Sequence, residues 1–166
     1  YTDDLPPAGP TAPAKTGDLW GCATAQIFAA VSPAMHEEFA LQYERRWLDR
    51  FGLNYYGCCE PLHLKLDLLG SVPRLRKVSM SPWVVEERGA EEIGRDFVYS
   101  RKPSPAFVAT DSFDADAVRA DLAATRNVCD THGCPLEFIL KDISTVRYRP
   151  ERLTEWGRIA MDVACA

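Results

Sequence analysis

A chain of 166 residues with 24 acidic against 19 basic side chains, a net charge of -5 and 46% hydrophobic residues has the apolar content for one core. It lacks the basic balance of a nucleic-acid binder. No apolar run approaches the roughly 18 residues that a membrane helix needs, and the polar, proline-rich start carries no signal-peptide pattern. The composition thus predicts a cytoplasmic domain with neither membrane nor nucleic-acid partner. The six cysteines include the neighbours Cys58 and Cys59, and the chain is large enough to hold itself by burial. They predict reduced thiols in place of a disulfide framework.

Residues 1–17 form a proline-rich arm or linker, and a start at Tyr1 in place of Met reads as a piece of something longer. After it the pattern alternates. Asp18–Cys22 predicts a strand. Ser32-Pro33 opens a helix, Ser as cap and Pro at the first helical position. Met35, Phe39, Tyr43, Trp47 and Phe51 recur at helical spacing as its apolar face, and Gly52 ends it. Leu53–Cys58 is the next strand. Leu62, Leu64, Leu66 and Leu68 alternate as a strand would, yet the run lacks β-branched residues, starts beside Pro61 and stops at Gly70, so a short helix is predicted. Strands over Arg76–Met80, Phe97–Ser100 and Leu136–Leu140 follow, the last nearly continuous in apolar residues, as a strand buried on both faces would be. Between them fall a helix over Val84–Ile93 and a longer one capped by Ser112 or Asp114, with Val118, Leu122, Thr125 and Cys129 inward. Pro150 opens a final helix, with Leu153, Trp156, Ala160 and Val163 inward. Five strands alternating with helices predict an α/β fold with a parallel sheet. A closed (β/α)8 barrel takes about 250 residues, so this is a partial TIM-like barrel.

Chemistry in such folds collects at the carboxyl ends of the strands. There the chain places Cys58, Cys59, Glu60 and His63, with Cys22 at the end of the neighbouring predicted strand. Thiolate, imidazole and carboxylate are the donors zinc prefers, and Cys58, Glu60, His63 and Cys22 are the candidate ligands. The same residues also suit a packed thiol pair with a capping Glu, and adjacent cysteines are expected to face opposite ways. Cys129-x-x-His132-x-Cys134 has ligand-like spacing, but Cys129 is in phase with an apolar helix face. His36 reads as a solvent-facing or satisfied residue, and Trp47 and Trp156 as core. Trp20 and Trp83 fall at predicted strand ends, where they would floor a planar ligand pocket or pack in the core. Arg101, Lys102, Lys141, Arg147 and Arg149 lie at or past two strand ends, as a basic rim for an anionic substrate or as scattered solvated charges. Asp142 is a candidate general base or the partner of Lys141.

An ordered series of short motifs carries a resemblance. Asp18-Leu19-Trp20, Ser32-Pro33, Tyr56-Gly57-Cys58-Cys59, Val78–Trp83, Tyr99–Pro105, Phe138–Ser144 and Pro150-Glu151-Arg152-Leu153 fall in sequence. Together, from about Asp18 to the end, they resemble the C-terminal part of the uroporphyrinogen decarboxylase superfamily. That superfamily includes the methylcobamide:coenzyme M methyltransferases. The resemblance implies that residues 18–166 are the C-terminal portion of such a barrel. It further implies methyl transfer to or from a corrinoid carried by a partner protein, with a zinc-activated acceptor. The alternatives are decarboxylation of a tetrapyrrole, whose carboxylates the basic rim with Arg101 and Lys102 would hold, and a non-catalytic module that binds a corrinoid or tetrapyrrole; Lys141 and Asp142 are the catalytic candidates. Two departures stand out. Lys141-Asp142-Ile143 replaces the Gly-His-Gly of the decarboxylases. Tyr56 stands where the thiol methyltransferases have a zinc-binding His, and the last strand offers no Cys. Open sheet edges further predict a homo-oligomer.

Overall fold

The computed structural model describes residues 13–166, so most of the proline-rich arm lies outside the described residues. Within them, short extended runs alternate with helices. The strands are β1 (Trp20–Ala23), β2 (Leu53–Tyr56), β3 (Leu75–Met80), β4 (Val98–Arg101) and β5 (Leu136–Phe138). They form one parallel sheet in the order β1-β2-β3-β4-β5. Spatial order follows chain order, so right-handed crossovers all fall on the same face. The result is a singly wound α/β array, a partial TIM-like barrel as the alternation predicts.

The helices are α1 (Pro33–His36), α2 (Gln42–Leu48), α3 (Leu66–Leu69), α4 (Glu86–Ile93), α5 (Ala106–Ala109), α6 (Ala115–His132) and α7 (Glu151–Ala164). Ser32 caps α1 by accepting from the Met35 N–H at 3.2 Å, and Asp114 caps α6 by accepting from Ala117 at 2.9 Å. α6 ends at Gly133, whose φ of 72° closes the helix in the left-handed conformation that glycine adopts at no cost. Helix wins over strand at Leu62–Leu69. Leu62, Leu66 and Leu69 are buried at helical spacing, while Leu64 is left exposed. The short helix α5 carries no signal in the sequence beyond its position between two loops.

Two apolar clusters fix the helix layer. One packs Leu41, Leu48, Tyr56, Leu62, Val78, Met80, Ile93 and Tyr99 between the sheet and the first helices. The other packs Val108, Val118, Leu122, Trp156, Ile159 and Val163 among α5, α6 and α7. Three expectations are corrected here. A π turn over Glu37–Leu41 interrupts the rod between α1 and α2 and resets its phase, so His36, Leu41 and Leu48 face the core. Met35, Phe39, Tyr43 and Trp47 are exposed instead, leaving only Phe51 of the predicted stripe buried. Leu153 is exposed as well, because the guanidinium of Arg152 takes the inward position and donates to the carbonyls of Val108, Thr110 and Asp111. β5 is half-buried, not covered on both faces.

The concave face of the sheet is polar, and its contacts show that the sheet curls. Tyr55 on β2 meets Ser100 on β4 at 3.1 Å, and Lys77 on β3 pairs with Glu137 on β5 at 2.7 Å, each across an intervening strand. Neighbouring strands lie about 4.8 Å apart, so strands two apart are separated by about 10 Å of flat sheet. Curvature together with long side chains brings these groups into contact, as in a barrel wall.

Candidate functional site

β2 ends at Tyr56, and Gly57 turns the chain with a φ of 100°. A Cβ at Gly57 would lie 2.5 Å from Leu62 Cδ1 and 2.9 Å from Ser79 Cβ. Only glycine fits both the angle and the space. Gly57→Ala is therefore expected to cost about 2 kcal/mol of stability or more, read from the urea midpoint.

The turn sets Cys58 and Cys59 side by side, their sulfurs 3.6 Å apart. The expectation that adjacent cysteines diverge fails because this segment is a bend and not a strand. Lys141 reaches them from just past β5. Its Nζ donates to Cys58 Sγ and to Cys59 Sγ, each at 2.8 Å, and lies 3.1 Å from Asp142 Oδ2. Cys59 donates to the same carboxylate oxygen at 3.0 Å. Residues over eighty positions apart in sequence thus form one cluster of two thiols, an ammonium and a carboxylate. Lys102, just past β4, adds a second ammonium, donating to Ser79 Oγ at 2.6 Å and to the Cys58 carbonyl at 3.1 Å. Pro82, Pro103 and Pro105 wall the small cleft these groups share.

Electrostatics assigns protons within the cluster. Burial raises the Cys59 thiol above its ordinary value, and its bond to Asp142 adds to this, so Cys59 keeps its proton and donates it. The bond from Cys59 and the ammonium of Lys141 hold Asp142 below the usual carboxylate range. Burial acts to lower Lys141, but its bonds to Cys58, Cys59 and Asp142 outweigh that and raise it, so it stays charged.

The remaining candidates go elsewhere. Glu60 is buried and committed, accepting from Thr24 Oγ1 at 3.1 Å and from the Cys58 N–H at 2.9 Å. It shapes the loop that carries Cys58. His63 is buried against α4, its Cβ among the neighbours of Gly89, away from the thiols. Cys22 lies on the concave face, close enough for Lys102, Cys58 and Glu60 to act on it, and burial raises its thiol. The four expected zinc ligands therefore do not converge. Among the described residues no group of three His, Cys, Asp or Glu side chains is disposed to hold a metal ion. A dication between Cys58 and Cys59 would also have to displace the Lys141 ammonium, so the residues as arranged do not fit zinc. All six cysteines are free.

Arg101 is corrected most sharply. It points into the helix layer, 2.7 Å from Glu86 and 3.7 Å from Asp121, and does not face a ligand. Trp20 begins β1 instead of ending it, stacked under Lys77 at 5.1 Å, while Trp83 is 75% exposed beyond β3, so the two do not floor one pocket. Trp47 is exposed on α2 and not core, whereas Trp156 is buried. Arg147 pairs with Asp111, and Arg149 is exposed. His132 pairs with Glu87 at 2.7 Å, and Cys129 and Cys134 are buried.

A second polar constellation escapes sequence reasoning. Lys65 Nζ donates to His36 Nδ1 at 3.2 Å and to the Phe28 carbonyl at 2.7 Å. That fixes the imidazole proton on Nε2, which donates to Tyr56 Oη at 2.7 Å, and Tyr56 donates to Glu44 at 2.6 Å. Burial lowers His36 and the Lys65 charge lowers it further, against weaker opposing effects of Glu60 and Glu37, so the folded imidazole is neutral. The unfolded imidazole takes a proton as pH falls through about 6.5 while the folded one does not. Below that pH the unfolded state binds more protons, so stability falls on acidification. His36→Gln is expected to flatten this part of the profile, checked by urea midpoints between about pH 7 and pH 5.

Fold and site together define the class: a singly wound, partial βα-barrel wall with a thiol–ammonium cluster where the ends of β2 and β5 approach. No protein-family model matches the chain, and no curated protein matches it. No helix among the described residues is long and apolar enough to cross a membrane.

Proposed function

We propose that the chain is the C-terminal part of a barrel enzyme of the uroporphyrinogen decarboxylase-like superfamily, and that it moves a methyl group from a corrinoid carried by a partner protein. The observation that supports this is the placing of Cys58 at the carboxyl end of β2, its sulfur 2.8 Å from the Lys141 ammonium. The ammonium donates to this sulfur, and a cysteine sulfur is the nucleophile once its proton has left. The methyl group passes to sulfur without its bonding electron pair, which stays on the donor, and the thiol proton goes to solvent. Cys59, protonated and bonded to Asp142, orients the cluster and leaves Cys58 as the acceptor. In this reading further βα units of the complete barrel cover the exposed apolar row of Met35, Phe39, Tyr43 and Trp47.

A second reading, decarboxylation of a carboxylate-bearing tetrapyrrole, is favoured by Lys102 and Lys141 lining one cleft. The test is incubation of the protein, within its complete barrel, with methylcob(III)alamin. The expected result is spectral loss of the methylated corrinoid and a methyl group on Cys58 by peptide mass, both absent in Cys58→Ala. Turnover of uroporphyrinogen with no change to the corrinoid would replace this reading by the second.

A further inference from the structure

The same cluster has a property that methyl transfer does not use: two sulfurs presented together. From the 3.6 Å separation of Cys58 and Cys59 and their shared approach to one cleft, we infer that the pair is a two-sulfur binding site for an uncharged, thiophilic trivalent metalloid. This goes beyond the proposed function and rests on the same placement of Cys58.

The separation is far too long for a disulfide, whose sulfurs lie about 2.05 Å apart. It leaves room for one atom bonded to both. Trivalent arsenic is such an atom, and its exchange chemistry balances without any oxidant. A methylarsonous acid molecule, CH3As(OH)2, and two thiols give CH3As(SR)2 and two waters. Two S–H and two As–O bonds break, two As–S and two O–H bonds form, and arsenic stays trivalent.

Charge separates this ligand from zinc. A dication meets the Lys141 ammonium 2.8 Å from both sulfurs, whereas the neutral arsenical replaces thiol protons and adds no charge. Lys141 then need not leave. It can go on donating to sulfur, and Asp142, which loses the Cys59 proton as a donor, remains paired with it at 3.1 Å. Size points the same way. The cleft holds about 20 Å³, room for a small group at the sulfurs. Cys58 and Cys59 are half-buried, so the sulfurs are reachable without unfolding. Cys129 and Cys134 form the competing thiol pair, but both are buried.

The test titrates the folded protein with methylarsonous acid, following intact mass and free thiols. One equivalent should bind with loss of two titratable thiols, and a small dithiol should remove it. Digestion of the wild-type adduct should place the bridge on the peptide that holds both Cys58 and Cys59, a result that needs no variant. Cys58→Ser and Cys59→Ser should each lose the capture, and Cys22→Ser and Cys129→Ala should keep it. No capture by folded protein, a bridge mapped to Cys129 and Cys134, or capture surviving in Cys59→Ser would overturn the inference. Capture without methyl transfer would sink only the proposed function, and methyl transfer without capture only this site.

Discussion

Arg101→Ala should unfold this protein far more easily than any rim charge would, with about 3 kcal/mol lost or more. The side chain is 5% exposed and stands between two helices. Its Nη2 pairs with Glu86 at 2.7 Å and approaches Asp121 at 3.7 Å, its Nε donates to Thr125 Oγ1 at 3.2 Å, and its Nη1 donates to the Ser81 carbonyl at 3.1 Å. Thr125 in turn donates to Glu86 at 3.0 Å. The guanidinium thus ties β4, α4 and α6 into one layer. Its removal leaves a cavity and two carboxylates without their cation. Asp121 is already raised by burial, an effect the Arg101 charge opposes, so it would shift further toward the protonated form. Glu86 and Asp121 keep roughly a quarter of their side-chain exposure, which lets water recover part of the loss and sets the estimate at the low end for a broken buried pair. Urea denaturation measures it. A change within about 0.5 kcal/mol, the range of ordinary surface substitutions, would contradict this role.

Tyr56→Phe should cost about 2–3 kcal/mol although it removes a single oxygen. The hydroxyl is fully buried, accepts from His36 Nε2 at 2.7 Å and donates to Glu44 at 2.6 Å. Phenylalanine fills the same space but leaves an imidazole N–H and a carboxylate oxygen without that partner. Burial already raises both Tyr56 and Glu44, and loss of the hydroxyl removes a bond that holds Glu44 down. The variant should therefore also lose stability more steeply as pH rises. Glu44 folded with a raised pKa binds its proton more tightly than when unfolded, so its contribution declines as pH climbs through the window between the two values. An unchanged urea midpoint in Tyr56→Phe would show that the relay from Lys65 to Glu44 is not built as described.

These two sites also mark where sequence reasoning reaches its limit. The five strands were legible because each apolar run is short, bounded by turn residues and followed by a helical pattern. Leu62–Leu69 resolved to helix because burial at Leu62, Leu66 and Leu69 obeys the helical period, even though the run also alternates. The stripe from Met35 to Trp47 misled because a π turn inserts a phase shift that residue spacing does not announce. Arg101 and Lys102 are a parity problem. Neighbours in or beside a strand face opposite ways, so only one of them could line the cleft, and the sequence does not say which. The concave face went to Lys102. Lys141 and Cys58 were both legible as residues at strand ends, but their contact depends on the curl of the sheet, which is a tertiary property. Strand alternation turns Cys59 away from Cys58, but that alternation ceases at Gly57. His36 and Tyr56 lie twenty positions apart, and nothing in their spacing signals a hydrogen bond.

The claim on which the site depends is that the ends of β2 and β5 meet. A short heterobifunctional reagent that joins a thiol to an amine, applied to folded protein and followed by peptide mapping, tests it directly. The expected product links the peptide of Cys58 and Cys59 to Lys141, whose Nζ lies 2.8 Å from each sulfur, and the link disappears in Lys141→Met. Thiol-to-amine links from Cys58 or Cys59 to lysines other than Lys102 and Lys141, with Lys141 left unlinked in the folded protein, would contradict the curled sheet and the site built on it.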